Sequence, residues 1–325
     1  MSESEFDIIK TYFSNIGKAK DWLTTGIGDD AAILNTDPEQ QLLIAIDTLN
    51  AGVHFPEETS AFDIGYKALA VNVSDIAAMG GQPVWFTLSI SLPEVNHDWL
   101  SDFAAGLAAI ANKYDLTLIG GDTTRGPLSI TIQIGGVIEK STALCRDGAR
   151  QGDDIYVTGT PGDAAAGLKL LQQQKSVYSE MERILISRLL RPCPRVDIGT
   201  AIKNIATACI DISDGLAADL GHILEASGDA GAEIDLQAIP LSDQLKQSGM
   251  AEESIFEMVL HGGDDYELCF TAPPSKQAEL QTIAEQTACP ITRIGKIVNT
   301  EGLYLIDKGQ RKLLSKSGFD HFLSP

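Results

Sequence analysis

The sequence holds no G-x-x-x-x-G-K-[ST] stretch, no C-x-x-C pair and no two histidines at zinc-binding spacing. Without the first, any bound nucleotide is held by something other than a P-loop. Without the other two, a zinc ribbon or a dithiol redox centre is excluded. The cysteines (Cys145, Cys193, Cys209, Cys269 and Cys289) are odd in number and read as reduced core thiols, not as a disulfide framework. No segment reaches the roughly 20 apolar residues that a membrane span needs. The opening residues, MSESEFDIIK, lack the basic and apolar regions of a signal peptide. A cytoplasmic chain with no membrane partner is expected. Low-complexity tracts and repeats of solenoid spacing are also missing.

Basic residues are scarce. The chain carries 24 Lys and Arg against 45 Asp and Glu, a formal net charge of -21. That excludes a general nucleic-acid surface, which needs a basic patch. It also weakens binding of any phosphate substrate unless cations mediate. The carboxylates therefore either solvate the surface or, in part, hold those cations.

What is present fills about two domains. The 325 residues are 44% apolar, spread along the whole chain. Residues 41–49 (QLLIAIDTL) read as a strand ending at Asp47, 63–80 as a helix stopped by Gly80-Gly81, 83–92 as a strand and 99–114 as an amphipathic helix. LTLIGG and LSITIQIGGVI read as two more strands. Residues 140–159 read as a crossover ending in a strand over 154–158, before a Gly-Pro-Gly turn and a helix. ACIDISDGLAADLGHILEAS reads as strand, loop and helix, YELCFTAP as a strand, and ITRIGKIV with GLYLID as a closing pair. The expected class is α/β or α+β with two mixed sheets, divided near residue 145 into domains 1–145 and 146–325.

Aspartates recur at the ends of the apolar segments: Asp29 and Asp30, Asp47, Asp75, Asp122, Asp211 and Asp214, Asp264 and Asp265. On a helix, Ile64, Ala68, Val71 and Ala78 lie within about 60° of Asp75. A carboxylate inside that stripe is costly unless paired or metal-bound. It is either a core acid bonded to a backbone amide or a ligand. Several such acids suit Mg²⁺, which takes one or two carboxylates plus substrate phosphates. In IGGDTTRG, Gly120-Gly121 let backbone amides approach a phosphate, and Asp122 can bring a metal to it. Arg125 is either a charge clamp or the partner of a nearby acid. Arg146 is a second cation. His54 is either a loop histidine or a substrate contact.

Taken together, GIGDDAAIL, DTLNAGVHF, YKALAVNVSDIAAMGGQP, LIGGDTTRGPLSITI, GDDIYVTGTPGDAAAGL, DISDGLAADLGHI, GGDDYELCF and the tail GFDHF occur in the order seen in the thiamine-monophosphate kinase family, which the chain resembles over nearly its whole length. SDIAAMGG and GGDT are shared with aminoimidazole ribonucleotide synthetase, selenophosphate synthetase and the hydrogenase maturation dehydratase. GVHF with GGDDYELCF narrows the resemblance to the kinase. It implies a homodimer whose N-terminal sheets pair into a barrel-like core, with ATP and several Mg²⁺ ions bound near the interface. The N-terminal domain would carry ATP, Mg²⁺ and dimerisation, and the C-terminal domain would complete the nucleotide and substrate site. The implied metal ligands are Asp30, Asp47, Asp75, Asp122, Asp211 and Asp214, with Ile46 offering only backbone where relatives often carry a hydroxyl. Asp75, Asp122 and Asp214 would be the catalytic acids. Gly121, Asp122, Arg146 and Ser213 match nucleotide contacts, and His54 and Asp264 match substrate contacts.

Two positions depart from the family: Asp264 stands where Glu is common, and Lys316 where an aromatic residue often faces the pyrimidine, a role left to Phe319. The implied reaction is direct transfer from ATP to thiamine monophosphate. The alternatives are a sister synthetase with another acceptor, a metal-dependent phosphatase, or a non-enzymatic Mg-nucleotide-binding protein. The first cysteine, Cys145, and the ending HFLSP lack the N-terminal and C-terminal cysteines expected of two sister enzymes.

Overall fold

The computed structural model describes residues 5–314 apart from Asp229. The chain forms two compact units. One holds residues up to Ile76 together with Gly81–Ser141, and the other holds Ala77–Gly80 and the chain from Thr142 onward.

In the first unit a short helix α1 (Glu5–Ile8) runs into a π-helical turn, Ile9–Phe13. A two-stranded ribbon, β1 (Leu23–Thr25) with β2 (Ile33–Leu34), follows. The main sheet contains β3 (Gln40–Asn50), β4 (Gln82–Leu92), β5 (Thr117–Arg125) and β6 (Ser129–Glu139), in the order β3-β6-β4-β5. β4 and β5 are parallel and the other pairs are antiparallel. Helices α2 (Ala61–Ala78) and α3 (His97–Lys113) supply Leu69, Ile76, Leu100, Phe103 and Ile110 to a core shared with Phe86, Ile90, Ile130 and Ile134. The period of two along β3 sends Ala45, Asp47 and Leu49 to one face and Leu42, Ile44 and Ile46 to the other. These last three are 51%, 60% and 61% exposed.

The second unit is built on a sheet ordered β13-β12-β9-β11-β7-β10-β8. Its strands are β7 (Asp154–Thr158), β8 (Ala208–Asp211), β9 (Gly231–Asp235), β10 (Leu268–Ala272), β11 (Ile291–Val298), β12 (Gly302–Asp307) and β13 (Gln310–Leu313). β12 and β9 run parallel, so this sheet is mixed as well. The helices are α4 (Asp163–Leu171), α5 (Glu180–Leu190), α6 (Val196–Ile202), α7 (Leu216–Ala226), α8 (Asp243–Lys246), α9 (Glu252–His261) and α10 (Gln277–Thr287). One face packs Leu216, Leu220, Ile223, Val259 and Leu185 against Ile155, Ile210 and Ile234, and the other packs Phe270, Tyr156, Ile202 and Leu280. The class is therefore mixed α/β with mixed sheets. Among the described residues no helix is long and apolar enough to cross a membrane.

Three local expectations are corrected. The strand carrying Asp47 does not end there but continues to Asn50, because β6 pairs with it along its whole length. The strand read over LTLIGG does not stop at Gly121 but runs on to Arg125, with Gly120 to Arg125 paired with Thr87 to Leu92. ITRIGKIV and GLYLID do not pair with each other. β9 lies between them, and the closing hairpin is β12 with β13. Of the cysteines, Cys209, Cys269 and Cys289 are buried thiols, whereas Cys145 is exposed.

Candidate functional site

In the first unit a cavity of about 720 Å³ opens between the loop Gly26–Ala32, the π-helical turn and the paired strands β4 and β5. Asp29, Asp30, Gly121 and Asp122 line it. A register shift in the β4–β5 pairing aims the last two. Phe86 faces Leu118 but Thr87 faces Gly120, so Ile119 is an extra residue on β5. Such a bulge bends a strand and redirects its side chains. At Gly121 a Cβ would stand 1.9 Å from the carbonyl oxygen of Leu88, so only glycine fits this approach of the two strands. Asp122, next in the strand, is exposed. The Asp30 N–H donates to Asp29 Oδ1 at 2.8 Å, which fixes the first carboxylate against its own loop. Lys10 lines the same cavity and brings a cation that the motifs did not reveal.

Asp47 and Asp75 meet elsewhere in this unit. Asp47 points from the helix-facing side of β3, and Asp75 is half-buried on α2 between the buried Val71 and Ala78. Burial pushes the Asp47 carboxyl above its usual range, and a hydrogen bond with Asp75 partly offsets the rise. Two carboxyls in contact in a poorly hydrated place form a donor set of hard oxygens, which fits a divalent cation. Ile46 turns its side chain to the opposite, exposed face, so backbone is what it can offer to that set. His54 Nδ1 accepts the Asn50 N–H at 3.0 Å, so the neutral ring carries its proton on Nε2. The buried Lys67 donates to the His54 carbonyl at 3.0 Å and fixes that loop from below.

In the second unit Asp211, Ser213, Asp214 and Asp264 come together where β8 ends and β10 begins. Asp211 is buried and faces Leu268. Beyond the strands the pairing continues. The Ile212 N–H reaches the Glu267 carbonyl, the Tyr266 N–H the Ile212 carbonyl, and the Asp264 N–H the Ser213 carbonyl, each at 2.8 Å. Asp264 and Tyr266 both hold left-handed backbone, φ 68° and 51°. That is unfavourable for non-glycine residues and persists only where the surroundings over-determine it.

Here they do. Asp265, between them, accepts the Gly162 and Ala164 N–H groups at the start of α4, at 2.7 and 3.2 Å. The Tyr266 hydroxyl donates to Asp264 Oδ1 at 3.1 Å. Glu267 is forked by the Arg195 guanidinium and accepts the Thr158 hydroxyl at 2.6 Å. The next carboxylate inward is Asp219 on α7, which accepts N–H groups from Ser213, Asp214 and Gly215. Burial, then the charges of Asp211 and Asp214, push its pKa up to about 8 against the pull of those amides. The Asp214 and Asp219 carboxylates and the His222 ring lie within 4.8 Å of one another.

Arg146 lies on the loop before β7. Its side chain is exposed, and its carbonyl accepts the Ser227 hydroxyl just after α7. Phe319, with Lys316 and the GFDHF tail, lies outside the described residues. Sequence reasoning passed over Asp219 and Asp265 as supports. An acid four residues into the helix after DISDG was the visible signal for the first, and the doubled Asp of GGDD for the second.

Both units belong to the AIR synthase-related class. Residues 28–138 match the AIR synthase related protein N-terminal domain, and residues 150–308 match the C-terminal domain. Within that class the chain belongs to the thiamine-monophosphate kinase family. It is 47% identical to the thiamine-monophosphate kinase of Salmonella typhimurium, covering 100% of both chains, and 36% identical to that of Aquifex aeolicus, covering 91% of this chain and 92% of the relative. Among solved structures it resembles the thiamine-monophosphate kinase of Stenotrophomonas maltophilia, with TM-score 0.85, 46% identity, and coverage of 90% of this chain and 93% of that one. It also resembles AaThiL complexed with AMPPCP and TMP, with TM-score 0.79, 35% identity, and coverage of 97% and 94%.

Proposed function

We propose that the chain transfers the terminal phosphoryl group of ATP to thiamine monophosphate, giving thiamine diphosphate and ADP. The observation that carries this is kinship over the full length with proteins named for that activity, at 47% identity in the first case. The acceptor is a phosphate monoester whose second pKa is about 6. It is mostly dianionic at neutral pH and needs no strong base. The difficulty is charge: two polyanions must meet in line, so positioning and neutralisation dominate.

The residues divide that work. Gly121 opens the backbone beside β4 to a phosphate, and Asp122 and Asp30 present carboxylates to the same cavity. Asp47 with Asp75 in one unit and Asp211 with Asp214 in the other are the remaining metal ligands, with the Ile46 backbone beside the first pair. Asp75, Asp122 and Asp214 are the acids nearest the chemistry. Mg²⁺ bound there would neutralise and bridge phosphate oxygens. Ser213 and Arg146 hold the nucleotide. His54, as an Nε2–H donor, and Asp264 orient the acceptor, and Phe319 is assigned its pyrimidine. Residues 1–145 carry ATP and metal, and residues 146–325 complete the site. Transfer is direct, without a phosphoenzyme, and takes place in the cytoplasm.

The working unit is a homodimer whose N-terminal sheets form a barrel-like core. Its support is the row Leu42, Ile44 and Ile46, exposed on one face of β3. Each is a little over half exposed, so covering it contributes on the order of 1–2 kcal/mol.

The test is ³¹P NMR of the enzyme with ATP, Mg²⁺ and thiamine monophosphate. Thiamine diphosphate resonances growing one for one with ADP are expected. ADP with free phosphate, or no acceptor-dependent turnover, would sink the assignment.

A further inference from the structure

Consecutive backbone amides in the Ser213–Gly215 loop converge on one atom. The N–H groups of Ser213, Asp214 and Gly215 all reach Asp219 Oδ2, at 3.0, 3.1 and 3.1 Å. Gly215, at φ 121°, takes a backbone conformation that a side chain would strain. Successive amides arranged this way at the start of a helix form a concavity that ordinarily captures a phosphate or another anion. In this chain the concavity is filled from within. Asp219 is 2% exposed and lies one turn along α7, and its own N–H donates to the Gly215 carbonyl at 3.0 Å. The outer edge of the loop is equally committed, since the Ile212 and Ser213 carbonyls accept the Tyr266 and Asp264 amides.

We propose that Asp219 is a positioning residue: its carboxyl oxygen occupies the amide nest in place of a phosphate oxygen and thereby sets the directions of the Ser213 hydroxyl and the Asp214 carboxylate. The backbone of this loop is closed to ligand. The loop acts on nucleotide and metal through those two side chains, and the phosphates are met by cations, not by the helix terminus. The functional half of this inference rests on the kinase reading, whereas the structural half does not.

Two measurements test it. Amide hydrogen exchange on the ligand-free wild-type enzyme reads the nest directly. The Ser213, Asp214 and Gly215 amides are expected to be protected before any nucleotide or metal is added. Fast exchange that slows only on adding Mg²⁺ and ATP would overturn the proposal.

The second measurement compares Asp219→Ala with wild type, because an Asn amide oxygen would still accept the three N–H bonds. With β8 and β10 still protected, the variant is expected to lose protection at these three amides and to need about tenfold more Mg²⁺ or beyond for half-saturation, the range seen when a residue supporting a metal ligand is changed. Its KM for thiamine monophosphate should stay within about twofold, because Asp264 keeps the Asp265 anchor. A folded variant with unchanged Mg²⁺ dependence, or one whose loss of activity only tracks the unfolded fraction, refutes the role. If the variant does not fold, the wild-type exchange pattern decides alone. If the wild-type enzyme forms no thiamine diphosphate, the kinase reading fails, and the exchange result still judges the nest.

Discussion

The backbone N–H of Asp264 donates to the carbonyl of Ser213 at 2.8 Å. A residue assigned to the acceptor and a residue assigned to the nucleotide thus sit on adjacent backbones. The contact is tight. A Cβ on Gly263 would stand 2.1 Å from the same Ser213 oxygen. Gly263→Ala is expected to push the two loops apart and cost about 1–3 kcal/mol of stability, as overpacking does. KM should rise for both ATP and thiamine monophosphate. Steady-state kinetics in both substrates check this, and an increase confined to one of them would argue against coupled loops.

Asp122 gives the opposite balance. It is exposed, so Asp122→Ala should change stability by no more than about 0.5 kcal/mol. Transfer should fall to background, because that carboxylate faces the cavity. Near wild-type turnover in a folded variant would remove Asp122 from the metal site.

The Arg195–Glu267 pair is a purely structural case. Both side chains are mostly buried, at 14% and 9% exposure. Arg195→Met leaves an uncompensated acid and should cost about 3–5 kcal/mol. Arg195→Met combined with Glu267→Gln should recover a large part of that loss. Denaturant unfolding of the three proteins measures it, and additive losses would mean that the pair is not coupled.

Acid sensitivity has a local source at α5. Glu182 closes a capping box with Ser179 and is bonded to Lys175, which hold its pKa down to about 2. A carboxylate depressed by folding contributes stability at pH values above its unfolded pKa, about 4.3. That contribution is lost as pH falls through the folded value. Glu182→Gln should therefore lessen the fall of the melting temperature between about pH 4.5 and 2 by a small amount, since solvent screens this exposed pair, and leave the slope at neutral pH unchanged. An unaltered acid limb would exclude this source.

Leu42→Lys with Ile44→Lys tests the proposed dimer. Light scattering should report a monomer, with the circular dichroism spectrum retained because both side chains face outward. A dimer that persists would place the interface elsewhere.

Much of this was legible in the residues. Period-two and period-3.6 patterns located β4, α2 and α3 to within about two residues. β9 was not legible: GAEID is short and opens on Gly and Ala, so nothing marked it as the strand between β11 and β12. The path of residues 122–125 was hidden for a different reason. The apolar run gives out at Gly121, and pairing with β4 across a bulge carries the strand on to Arg125. The acids could be named from their motifs, and Asp219 and Asp265 stood in the same motifs, but that they act on backbone amides shows only in the fold.

One feature of chain connectivity bears on how this protein can be recombined. Ala77–Gly80 group with the second unit although the residues on either side group with the first. The polypeptide therefore changes unit at three points, 76/77, 80/81 and 141/142. A gene fragment ending at codon 141 would strand four residues without their neighbours, and a fragment beginning at 142 would lack them. Exchanging one unit for that of a relative while keeping these groupings therefore takes three junctions.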